Sequence, residues 1–100
     1  MFADRWAEAG ALIRDPVSRL RFIAETGAKA RAHDPDDAGF RAELERIRME
    51  SLRETATMLV CAMRAANRMA DAEAVAAAAR AFDPSPEMAA ALEKVSAANP

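Results

Sequence analysis

Apolar residues recur at helical spacing from one end of this chain to the other. Phe2, Trp6, Ala9 and Ile13 fall at i, i+4, i+7 and i+11 and predict a first helix over residues 2–14, weakened modestly by Gly10. Asp15-Pro16 is a helix start: Asp caps, and Pro fits the first helical position because its missing N–H would be unpaired there anyway. The second helix then runs to about Ala32, with Val17, Leu20, Ile23, Ala24, Gly27 and Ala28 as its apolar face. Phe22 stands off that face, beside Ser18, Thr26 and His33. The segment His33-Asp34-Pro35-Asp36-Asp37 reads as an interhelical loop, because Pro35 disfavours helix at Asp34 and Asp36 or Asp37 can cap the next helix.

A long third helix is expected from Ala38 to about Asn67 or Met69. Phe40, Leu44, Ile47, Ser51, Met58, Ala62, Ala65 and Met69 share a narrow arc of it. On the outside, Arg41–Glu45 and Arg46–Glu50 at i, i+4, with Glu43–Arg46, Glu45–Arg48 and Glu50–Arg53 at i, i+3, describe a solvated face worth a few tenths of a kcal/mol per pair. The run Met58-Leu59-Val60-Cys61-Ala62-Met63 covers every direction of the helix, so that stretch must be covered on all sides. Asp71 is a candidate cap for a further helix over residues 72–82, and a break and a bend at residues 67–71 are equally compatible with the pattern. Asp83-Pro84-Ser85-Pro86-Glu87 is a firm break: Ser85 caps, Pro86 starts, and a short last helix carries Met88, Leu92 and Val95 to about Ala98.

Composition sharpens this reading. Of the 52% of residues that are hydrophobic, 27 are alanine, and only 24 are large apolar side chains. Alanine is the strongest helix former. Four Val, three Ile, three Thr and no Tyr leave too little β-branched and aromatic material for an ordinary sheet. The expectation is an all-α fold, a small bundle of four to five helices with one long central helix, forming a single helical domain over residues 1–100. No apolar run approaches the ~18 residues of a membrane span. Charges at Asp4, Arg5, Glu8, Arg14 and Asp15 interrupt any leader-like apolar core. One cysteine makes no internal disulfide, so a cytoplasmic location is the default expectation.

The formal net charge of −2 argues against a strongly polyanionic partner. The most basic stretch, residues 14–31, holds Arg14, Arg19, Arg21, Lys29 and Arg31, but these scatter around a helix rather than forming a phosphate-tracking stripe. In a helix-turn-helix reading of the C-terminal pair, the recognition helix would offer only Lys94 against Glu87 and Glu93.

Little in the chain points to chemistry. Counted from Asp34, Asp36, Gly39 and Glu45 stand where an EF-hand loop has its third, sixth and twelfth positions, but Ala38 at the fifth offers no ligand and Arg41 stands at the eighth. A capped helix start explains the same residues, so no metal is expected. His33 has no partner at metal-ligating spacing and reads as a solvated loop residue. Cys61, inside the apolar run, reads as a structural thiol. With one His, one Cys and no Gly-rich phosphate loop, neither an enzyme nor a cofactor is expected.

The function expected from sequence is protein–protein interaction, as an adaptor, regulator or inhibitor. Phe2, Trp6, Phe22, Met58, Leu59, Val60 and Met63 are the candidate contact residues. The apolar run on the long helix predicts a homodimer, with Val60 facing the partner opposite the Phe40–Leu44–Ile47 stripe. The rival expectation is a nucleic-acid-associated regulator using Arg19, Arg21, Lys29 and Arg31.

Overall fold

The computed structural model describes the backbone of residues 2–97 and the side chains of residues 5–97. It contains α1 (Phe2–Leu12), α2 (Pro16–Arg31), α3 (Ala38–Ala65), α4 (Met69–Phe82) and α5 (Pro86–Ala97), and no strand among the described residues. The all-α bundle with a long central helix is therefore as the sequence predicts. At 1.5 Å per residue, α3 is about 42 Å long, close to the 45 Å long dimension of the molecule.

The helix starts come from local chemistry. The Asp15 carboxylate accepts from Ser18 N at 3.1 Å with Pro16 in the first turn of α2. Asp37, not Asp36, caps α3, accepting from Phe40 N at 2.7 Å. Ser85 Oγ accepts from Met88 N at 3.2 Å at the start of α5. These bonds satisfy amide groups that a helix N-terminus leaves open.

Between α3 and α4 the helix breaks rather than bends. Asn67 adopts a left-handed φ of 59°, a conformation that Asn tolerates better than most residues. Arg68 N then donates to Met63 O at 2.7 Å and Asn67 N to Arg64 O at 3.0 Å. This pair is the Schellman closure of a helix C-terminus. Consequently α4 starts at Met69, and Asp71 is no cap: it lies in the first turn and accepts from Arg68 Nε at 2.9 Å.

The core lies where α2, α3, α4 and α5 meet. Its wholly buried side chains are Leu20 from α2, Val60 and Met63 from α3, Val75 from α4, and Met88 and Leu92 from α5. Ala56, Ala72 and Ala79 are buried between them and let the helices approach closely. Among the described residues, α1 packs on α3 alone, while α2 packs on α3 and α4 and does not pack on α1.

The structure corrects the expected orientation of α3. The buried face carries Leu52, Ala56, Leu59 and Met63, spaced three or four residues apart. The Phe40–Ile47 stripe is turned outward instead, with Phe40 52% and Ile47 49% exposed. An Ala- and Leu-rich stripe reached by α2, α4 and α5 takes the interior, and the buried residues of α3 all lie from Leu52 onward.

Candidate functional site

The connection from Leu12 to Pro16 is only three residues long, yet the two helices diverge, because each is anchored elsewhere. Gly10 of α1 sits directly on α3: a Cβ there would collide with the carbonyl oxygen of Ala62 and come within 2.9 Å of Ala66 Cβ. Arg68, at the α3–α4 junction, reaches back to the C-terminus of α1. Its Nη1 donates to Gly10 O at 2.6 Å and also to Ile13 O. A cation there satisfies open carbonyls and complements the negative end of the helix dipole. Leu20 meanwhile is fully buried and ties α2 into the core.

The divergence opens a groove of about 620 Å³. Trp6 and Ala9 of α1, with Ile13 just after it, form one wall, and Ser18, Arg19, Phe22 and Ile23 of α2 the other. Thr55, Met58, Leu59 and Ala62 of α3 make the floor. Phe22 is 67% exposed and Met58 55% exposed, so both present their apolar surface to the opening. Among the described residues, Arg19 is the one charged residue of the lining and has no ion-pair partner. The Ser18 hydroxyl is already committed, donating to Asp15 at 2.7 Å. Hydrogen bonds from Ser18 hold the Asp15 carboxyl below the usual carboxylate range. What remains is an apolar trough with one cation on its edge.

Of the contact residues expected from sequence, Trp6, Phe22, Met58 and Leu59 meet in this groove. The Phe2 side chain lies outside the described residues. Val60 and Met63 do not face outward: they are 1% and 0% exposed, enclosed in the intrachain core. The apolar run is covered on most sides by the neighbouring helices, and the side left open is that of Met58. Ile13, Ile23 and Ala9 were legible only as apolar faces of separate helices, since nothing in the sequence says that α1 and α2 straddle α3 rather than pack together.

The other candidates are accounted for by local structure. Asp34 pairs with Arg48, at 2.7 Å through Nη1, and the hydrogen bond from Arg48 lowers its pKa. Arg31 pairs with Glu45, Nε to Oε2 at 2.7 Å, which takes the last residue of the basic segment into an interhelical ion pair. Cys61 is half-buried, and burial pushes its thiol up. His33 is exposed. Among the described residues, no three His, Cys, Asp or Glu side chains are grouped to hold a metal ion, and no helix is long and apolar enough to cross a membrane. No protein-family profile, curated protein or solved structure matches the chain.

Proposed function

We propose that this protein is a non-enzymatic interaction protein, an adaptor, regulator or inhibitor, whose groove between α1, α2 and α3 receives the apolar face of a partner helix. The observation that carries the reading is the pair of unpacked walls. Two helices that could have closed on each other stand apart over α3, with Phe22 and Met58 left exposed between them. Apolar side chains concentrated on one side of a small protein mark contact surfaces, and a trough between helices is the shape that recognises an amphipathic helix. The reading includes no cofactor and a cytoplasmic location, the latter supported by the single cysteine alone.

A nucleic-acid role for Arg19, Arg21, Lys29 and Arg31 has less support. Arg31 is engaged by Glu45, Arg19 sits on the rim of an apolar groove, and a phosphate-tracking surface needs several cations along one line.

The test is comparative capture. Tagged wild-type protein should retain partner chains, a second copy included, that Phe22→Asp and Met58→Asp both lose. Phe82→Asp, exposed but outside this groove, should retain them. A set of captured chains unaffected by the two groove substitutions would overturn the reading.

A further inference from the structure

We infer that the partner helix is α3 of a second copy, laid antiparallel so that Phe40 of each chain enters the groove of the other. This rests on the groove reading above and names its occupant. Phe40 and Met58 are 18 residues apart, which is five full helical turns, so they lie on one line about 27 Å apart. Ile47 falls near the same line, and all three are about half exposed. One end of this line thus carries a projecting Phe40, and the other end carries the groove floored by Met58.

A two-fold axis across the middle of the line turns that asymmetry into a match. Each Phe40 then faces the partner's Met58, and each Ile47 faces the partner's Ser51, which is small and exposed. A single self-complementary surface of this kind closes on itself as a dimer. The exposed apolar area comes close to what a stable dimer needs. Phe22, Phe40, Ile47 and Met58 together expose roughly 400 Å² of apolar side chain, given ~150–250 Å² for a fully exposed aromatic residue. A standard interface takes about 800 Å² from each partner, of which a little over half is apolar. The flank beside the stripe carries Glu43 and Glu50, with Arg46 paired to both. A two-fold axis brings this flank against its own copy, so association should hold or tighten as salt rises, because residual like charges are screened.

Sedimentation velocity of the full chain from ten to several hundred micromolar reads the association directly. A dimer that persists in salt is expected, and Phe40→Glu and Met58→Glu should each weaken it at least tenfold while leaving the melting temperature of the monomer nearly unchanged. Register is read by mixing an F40C chain with an M58C chain, both carrying Cys61→Ser, under oxidising conditions. The mixed disulfide should form well ahead of either self-link, since the two Phe40 positions are about 27 Å apart along the axis in this arrangement. A monomer throughout the concentration range overturns the inference, and so does an F40C self-link that outpaces the mixed one. If the protein is monomeric while other captured proteins still depend on Phe22 and Met58, the groove reading stands and only its occupant is wrong.

Discussion

Gly10 and Arg68 fix the position of α1, and each acts through a contact far away in the chain. Gly10 touches the backbone of α3 with no room for a Cβ, so Gly10→Ala must push α1 outward even though alanine is the better helix former. Overpacking of this kind costs about 1–3 kcal/mol, and the melting temperature should fall. Arg68→Ala removes the donor to Gly10 O and Ile13 O, and hydrogen bonds from a charged group are worth about 1.5–3 kcal/mol. Because both residues act at one crossing, the double variant should lose less than the sum of the two; strict additivity in thermal unfolding would show that they act separately. In the sequence, Gly10 is only a weak point in a helix and Arg68 only a cation near Asn67. Their roles depend on where α1 lands, which a periodic pattern does not contain. Val60 shows the same limit. Its place in an all-apolar run leaves its direction open, whereas in the structure it is enclosed and Met58 is not. Val60→Glu should therefore unfold the chain, at on the order of 3–5 kcal/mol for an uncompensated buried charge. Met58→Glu should shift monomer stability by no more than about 0.5 kcal/mol. Urea denaturation of the two variants at low protein concentration compares them, and equal losses would place both residues in the core.

At the scale of elements, caps and breaks were the readable part. Asp15-Pro16, Asp37 and Ser85-Pro86 carry their chemistry within four residues, so the sequence locates those helix starts to within a residue or two. The orientation of α3 was not readable in the same way, because two stripes compete on it. One holds Phe40, Ile47 and Met58; the other holds Leu52, Ala56, Leu59 and Met63. The outcome depends on which stripe α2, α4 and α5 can reach. Arg31–Glu45 and Arg48–Asp34 tie α2 and the loop after it to α3. The hydrogen bond from Arg48 lowers the Asp34 pKa, and that from Arg31 lowers the Glu45 pKa. A carboxylate with a lowered folded pKa contributes stability that is complete above its ordinary pKa and is lost as the pH falls through the folded one. The ordinary values are 3.8 for Asp34 and 4.5 for Glu45. These pairs should therefore contribute fully at neutral pH, where melting temperature does not vary with their titration, and melting temperature should drop below about pH 4.5. Asp34→Asn should lower stability at pH 7 and flatten the acid limb; a limb as steep as that of the wild type would show that the pair contributes nothing.

The whole molecule divides unevenly. α2 to α5 share one core, whereas α1 packs on α3 alone and, among the described residues, provides no wholly buried large side chain. Trp6 and Ile13 reach the edge of the core from outside. Apolar burial is the main favourable term in folding, so among the described residues α1 is held chiefly by the Gly10 crossing, the Arg68 hydrogen bonds and these two side chains. Regions with few buried apolar contacts open locally at a fraction of the global unfolding free energy. Hydrogen exchange should accordingly reach the amides of α1 well before those in the middle of α3 and α4. Arg68→Ala should accelerate exchange in α1 while leaving residues 72–79 of α4 near their wild-type rate. This ordering bears on function because α1 is one wall of the groove: whatever fills the groove touches both α1 and α2, and should slow exchange in α1 more than anywhere else. Concentrating the protein into the range expected of the proposed dimer provides the readout. Protection of α1 that rises with concentration, and does not rise in Met58→Glu, would connect α1 to the proposed contact surface. Protection of α1 equal to that of the α3 core at every concentration would show instead that α1 opens only with the whole fold.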